Sequence, residues 1–150
     1  MKTIRVAAAI VKKDNQILVA KRNYGEFKGY WEFPGGKYEE NETGFKALRR
    51  EMQEEFEVDI CNPDYYYTIE HDYEDFHLVM DWYTCELVND NFQLHDHSEI
   101  KWIDPYNNDI GLLLADKKVI EMYRKRLEER KNIMWKLCIC WVELEFFNRI

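Results

Sequence analysis

Between Gly44 and Phe56 the apolar residues Phe45, Leu48, Met52 and Phe56 recur at helical spacing, and Glu51, Glu54 and Glu55 fall on the stripe beside them. At about 100° per residue, positions three and four apart meet on one helical face. "GFKALRREMQEEF" therefore reads as an amphipathic helix of about three turns, capped by Thr43. Its acidic stripe constrains the chain more than any other feature. Helix surfaces usually relieve such repulsion with Lys four places on, yet here Glu51 is followed by Glu55, and Glu54 by Val58. A solvated acidic face is the ordinary reading of paired glutamates. The other is that a divalent cation lies among them. Mg2+ and Mn2+ take hard oxygen ligands, and carboxylates on one helical face supply them without refolding the backbone. Arg50 can reach an acid such as Glu42 and hold it.

Around this helix the periodicity reads mostly as strands. "TIRVAAAIVKK" and "ILVAKR" flank a polar turn at Asp14 and Asn15 and form a hairpin. "NYGEFKGY" is a loop, and "WEFP" is a short extended piece because Pro34 biases Phe33 away from helix. Gly35 and Gly36 mark a turn, and Pro63 falls in a loop beyond the helix. "DYYYTIEHDY" and "DFHLVMDWYTCEL" alternate enough to be two antiparallel strands. "VNDNFQLHDHSE" is a loop, and "IKWID" is a short strand stopped by Pro105. A second long helix begins between Leu113 and Asp116. The apolar tail "NIMWKLCICWVELEFFNRI" suits a strand or a continuation of that helix. The expected organisation is one domain over residues 1–130, with 131–150 an extension that packs on the domain or on a partner subunit.

With a net charge of −8, the chain is a poor match for a nucleic acid polymer. A small polyanion remains compatible if a metal supplies positive charge. Cys61, Cys85, Cys138 and Cys140 form no C-x-x-C pair, and no secretory signal precedes the first strand. Free thiols in the cytoplasm are expected, with Cys138 and Cys140 as buried small hydrophobes. No apolar run approaches the ~20 residues of a membrane helix.

From Gly36, five residues precede Glu42, seven more precede Arg50-Glu51, and Met52, Gln53 and Glu54-Glu55 follow. This resembles the Nudix box, G-x5-E-x7-R-E-U-x-E-E-x-G-U with U apolar. Gly36, Glu42, Arg50, Glu51, Met52, Glu54, Glu55 and Val58 match, and Glu57 stands where the family has Gly. That Gly ordinarily ends the helix at positive φ, so a Glu there costs roughly 1 kcal/mol or bends the turn differently. "WEFPGGK" is similar to the lead-in of the MutT-like branch, the nucleoside triphosphate pyrophosphohydrolases. "HDHSEIKW" resembles that branch's segment with an acid six residues before Trp102, and "LLLADKKVI" its C-terminal helix entry. The similarity covers about residues 3–128.

The resemblance implies an α+β Nudix fold, a mixed β-sheet sandwiched between α-helices (α/β/α). It implies hydrolysis dependent on Mg2+ or Mn2+. Glu51, Glu54, Glu55 and Asp96, with a carbonyl of Gly35 or Gly36, would be metal ligands. Glu54 or Asp96 would be the general base. Arg50 would serve catalysis, Glu42 would shape the box, and Arg22 and Lys37 would contact phosphates. The expected partner is a nucleoside triphosphate, with the chain a monomer or homodimer. Asp116 stands where 8-oxo-dGTP-hydrolysing relatives have Asn and CTP-pyrophosphohydrolase-like relatives tend to have Asp. An ionised Asp only accepts hydrogen bonds and suits the N4 amino group of cytosine. Phe33, Tyr67 or Phe76 could stack on the base, although core packing suits Phe76 better. His77, His95 and His97 could orient loops or act.

Overall fold

A computed structural model describes the backbone of residues 1–107 and 109–148, and the side chains of 1–107 and 109–139. The chain divides into two compact units, Met1–Leu113 and Leu114–Ile150. The first holds strands β1 (Lys2–Lys13), β2 (Gln16–Arg22), β3 (Trp31–Glu32), β4 (Gly35–Lys37), helix α1 (Gly44–Phe56), β5 (Ile60–Asp72), β6 (Phe76–Leu87) and β7 (His97–Ile103). The second holds helix α2 (Leu114–Asn148). A mixed sheet with two helices is an α+β fold, as the sequence implies.

The sheet has seven strands, with β3-β2-β1-β6-β5 as its main path, β4 beside β1 and β7 beside β2. β1 runs parallel to β6 from Lys2↔Phe76 to Val11↔Cys85, and every other pairing is antiparallel. β1 is central, so Ala7 to Val11 are buried without alternation, as expected where both faces of a strand are covered. β1 and β2 pair only beside their turn, at Lys12↔Ile17 and Lys13↔Gln16. Farther along they splay apart. β4 fills the space on β1, with Ala7↔Gly36 in register, and β3 fills it on β2. Pro34 lies between, its carbonyl accepting from Ala9 N at 2.9 Å.

Two expectations about this region need correction. Gly35 and Gly36 are in strand β4 rather than a turn. Close approach, not chain reversal, requires the first of them: a Cβ on Gly35 would run into the Ala7 carbonyl and lie 2.8 Å from Ala8 Cα. Pro63 is inside β5, not in a loop. It falls where the register with β6 shifts between Cys61 and Asp64, and a bulge on an edge strand tolerates the missing donor.

α1 agrees with the sequence to its ends. Thr43 Oγ1 accepts from Lys46 N at 3.3 Å and caps the first turn. Leu48, Met52 and Phe56 are fully buried against Ala7, Ala9, Val11 and Cys85, and Phe45 is partly buried. Burying each large apolar side chain contributes about 2–3 kcal/mol. The helix ends at Glu57, which is left-handed at φ 53° and ψ 36°. Its N–H reaches Gln53 O, and Val58 N reaches Met52 O. The departure from the box glycine is thus absorbed by αL geometry rather than by a different turn.

β7 starts at His97, three residues before "IKWID". In the second unit, α2 runs 35 residues without interruption at residue 131, about 50 Å at 1.5 Å per residue. The tail as far as Asn148 is therefore a continuation of the helix. Its Ile133, Met134, Trp135, Leu137 and Ile139 are exposed. Cys138 is also exposed rather than buried, and the Cys140 side chain lies outside the described residues. Cys61 and Cys85 are free thiols, and burial pushes the Cys85 thiol up to about 12. Among the described residues no helix is long and apolar enough to cross a membrane.

Candidate active site

The loop between β4 and α1, together with α1 itself, is organised by Arg50. Its Nε donates to Glu42 Oε1 at 2.7 Å, and Nη2 donates to Glu42 Oε2 at 3.1 Å and to the Lys37 carbonyl at 2.8 Å. Nη1 donates to Glu51 Oε1 at 2.8 Å and Glu54 Oε2 at 3.1 Å. One planar guanidinium thus joins loop, helix and strand, which a lysine could not do. Glu42 also accepts from Glu39 N at 2.8 Å. The hydrogen bonds from Arg50 and from this amide hold its carboxyl below the usual range. Glu42 thus pins the Arg50 guanidinium to the loop.

Glu51 and Glu55 are inward-facing, each with 14% of its side chain exposed, whereas Glu54 is 57% exposed. The Glu51 carboxylate fills the space a Cβ on Gly36 would need, so a side chain at Gly36 would displace it. Burial raises the Glu51 carboxyl, and Arg50 opposes that shift. Glu55 has no such cation. Burial, and then the charges of Glu51, Glu32, Asp96 and Glu54, push its carboxyl up to about 8. A set of hard oxygen donors that repel each other this strongly fits a divalent cation. Among the described residues, however, no three His, Cys, Asp or Glu side chains close into a ready-made metal cage. Arg50 holds two of the acids instead.

Two strand residues border this cluster. Arg22, at the end of β2, places Nη1 3.4 Å from Glu32 Oε2 and its guanidinium 4.5 Å from the centre of the Tyr24 ring. The Nε of Arg22 is buried without a partner. His97 opens β7, with 1% of its side chain exposed. Its Nε2 is 2.9 Å from Glu32 Oε1, its ring stacks on Phe56 at 5.0 Å and 17°, and its Nδ1 is 3.9 Å from Glu55 Oε2.

Segment 93–97 is fastened to the end of α1. Gln93 N donates to Phe56 O at 3.0 Å, His95 N to Glu55 O at 3.3 Å, and His95 Nε2 lies 3.0 Å from Glu57 Oε2. Asp96 is exposed in this segment, its carbonyl accepting from Asn23 N at 3.1 Å. Its charge is among those that raise Glu55.

The other candidates are more dispersed. Lys37 is exposed at the end of β4. Phe33 is 5% exposed and edge-on to Trp82 at 5.4 Å, leaving little ring surface for a base. Phe76 stacks on Tyr73, and Tyr67 is exposed on β5. His77 lies at the β5–β6 hairpin, beside Asp72 and Glu70. Asp116 belongs to the second unit, in the first turn of α2.

Glu32, Tyr24 and Asp81 are absent from the sequence candidates. Glu32 and Tyr24 stand in stretches whose charge pattern singles out neither. Asp81 did leave a signal, as an acid in the apolar centre of "HLVMDWYTC". It is 4% exposed and accepts from Tyr38 Oη at 2.6 Å, Thr68 Oγ1 at 2.7 Å and Arg5 Nε at 3.0 Å. Burial works against its charge, but these hydrogen bonds and Arg5 outweigh it and hold the carboxyl below the usual range.

An arginine-braced helix of carboxylates facing a glycine strand, on a mixed sheet, suits a hydrolase of nucleotide phosphoanhydrides. The chain belongs to the Nudix family: the NUDIX domain model matches residues 6–122. It is a Nudix hydrolase. It is 38% identical over 84 residues to the 8-oxo-dGTP diphosphatase of Proteus vulgaris, covering 55% of this chain and 75% of that one. It is 31% identical over 106 residues to the CTP pyrophosphohydrolase of Escherichia coli K12, covering 70% of this chain and 78% of that one. The solution structure of the E. coli ORF135 protein superposes with a TM-score of 0.72 at 29% identity, over 83% of this chain and 91% of that one. Nudix hydrolases generally use divalent metal ions.

The raised Glu55 carboxyl has a consequence for stability. Its folded value, about 8, lies above the ordinary 4.5. Stability from the neutral form is therefore complete below about pH 4.5 and is lost as the pH rises through about 8. The melting temperature of the metal-free protein should fall between about pH 5 and pH 8 and level off above. Mg2+ should raise it more at the higher pH, because the ion binds only the charged form. Calorimetry with and without EDTA checks both; a flat metal-free profile would remove Glu55 from the cluster.

Proposed function

We propose that the chain hydrolyses (deoxy)nucleoside triphosphates to monophosphate and pyrophosphate with Mg2+, or alternatively Mn2+, on (d)CTP-like or modified nucleotides. The observation that carries this is the Arg50-braced carboxylate set, in which burial and the charges of neighbouring acids push the Glu55 carboxyl up to about 8. Glu51, Glu54, Glu55 and Asp96, with a carbonyl of Gly35 or Gly36, are the proposed ligands. Bound there, the cation would offset the triphosphate's charge and lower the pKa of a coordinated water.

The chain's own residues supply the rest. Arg50 keeps Glu51 turned to Gly36 and fixes the loop through Lys37 O. Arg22 and Lys37 are the proposed contacts to phosphate oxygens. Glu54 or Asp96, both exposed, takes the proton of the attacking water. Asp116 is the proposed base contact. This rests on its place in the sequence after Ala115 and on the CTP pyrophosphohydrolase relative. The 8-oxo-dGTP diphosphatase relative supports the alternative base.

A panel of canonical, oxidised and methylated (d)NTPs with a nucleotide sugar, assayed with Mg2+ for pyrophosphate, separates these readings. Release from (d)CTP or a modified pyrimidine triphosphate is expected. Cleavage of the nucleotide sugar alone would defeat the triphosphate assignment, and no cleavage at all would favour a binding module. Glu54→Gln should lower turnover about 10^2- to 10^4-fold while the fold is kept. Undiminished turnover in that variant would remove Glu54 as both ligand and base and sink the proposed mechanism.

A further inference from the structure

His97 is the most deeply buried polar group beside the carboxylates, and only one of its ring nitrogens is used. Nε2 has Glu32 at 2.9 Å, whereas Nδ1 is buried without a hydrogen-bond partner. The carboxylate it faces is Glu55, 3.9 Å away. Buried polar atoms rarely go unpaired, so an orphan aimed at an acid of the site needs an explanation. The ring cannot turn away, because it is stacked on Phe56, the residue after Glu55, and sits where segment 93–97 is fastened to the end of α1. Glu32 and Glu55 thus face the two nitrogens of one ring.

We infer that His97 is a positioning residue: it holds the Glu55 carboxylate through Nδ1 in the orientation that binds the metal, and anchors itself on Glu32 through Nε2. The inference rests on the metal site proposed above. A shift of the Glu55 carboxylate by roughly 1 Å brings the pair within the normal hydrogen-bond range. Through Glu32 the same chain reaches Arg22, so a phosphate-contacting arginine and a metal ligand share one rigid support. Outer groups that orient ligands commonly change metal affinity 10- to 100-fold when removed.

The test is Mn2+ affinity of the full chain, read as free Mn2+ by electron paramagnetic resonance and needing no turnover. Asn places an amide near the position of Nδ1, and Gln places one near Nε2. His97→Gln should therefore weaken Mn2+ binding about tenfold, while His97→Asn stays within about threefold of the unmodified protein. Equal loss in both variants would overturn the inference in favour of ring packing, and no loss in either would overturn it outright. Glu55→Gln is the control for the site itself. If that variant binds Mn2+ as tightly as the unmodified chain, the proposed metal site fails, independently of His97. Should both His97 variants unfold, the assigned 15N resonance of His97 Nδ1 in the unmodified protein decides. It should move on adding Mg2+, and an unmoved resonance sinks the proposal.

Discussion

Replacing Glu55 with Gln is expected to make the metal-free protein more stable and the enzyme nearly inactive. Both effects come from one charge. In the absence of a cation, ionising Glu55 opposes burial and four other acids, so its carboxyl is pushed up to about 8. Glutamine keeps the shape and never ionises. Near pH 7.5 the gain should be about 2–3 kcal/mol, after allowing for the freedom of the carboxylate to turn toward water. That corresponds to a rise in melting temperature of about 5–10 °C. The same change removes a proposed metal ligand and should lower turnover about 10^3-fold, equivalent to roughly 4 kcal/mol of transition-state stabilisation. Thermal melts in EDTA and steady-state assays with Mg2+ measure the two sides. A variant that is both less stable and fully active would refute the role given to Glu55.

The second large effect is structural. Asp81→Ala leaves the hydroxyls of Tyr38 and Thr68 and the guanidinium of Arg5 without their common acceptor. Arg5 is more than half exposed and can recover water, and Thr68 Oγ1 keeps Tyr65 Oη at 2.7 Å, but the Tyr38 hydroxyl loses the carboxylate it donates to. The expected loss is about 3 kcal/mol. Urea denaturation measures it, and a loss under about 1 kcal/mol would mean that water replaces the carboxylate freely. Asp81→Asn keeps the size and an acceptor, and should fall between. Tyr38 follows Lys37, whose carbonyl holds Arg50. The alanine variant should therefore also weaken Mg2+ binding, at a distance from the ligands.

How far the sequence carried can be seen residue by residue. α1 was legible because its signals are local: Thr43 caps it, an apolar stripe sets its face, and Phe56 closes that stripe. The Arg50–Glu42 pair was legible for the same reason, since both lie in one loop–helix segment. β4 was not. Gly35 and Gly36 look like a turn until β1 is beside them, and the close approach of Ala7 and Ala8 is not written in neighbouring letters. Pro63 misleads in the same way, because only the register with β6 reveals that it sits at a bulge. Asp81 and Glu32 belong to the same class, each defined by partners on other strands. The tail allowed strand or helix because its Lys and Glu interruptions keep neither period clearly.

Glu57 gives this a further turn. At a position where the motif writes glycine, the chain keeps the left-handed backbone and adds a carboxylate within reach of His95. The motif letter is therefore shorthand for a torsion angle rather than for the absence of a side chain. A pattern search that insists on the letter would discard this chain, while one that asks which residues can hold φ near +55° would keep it.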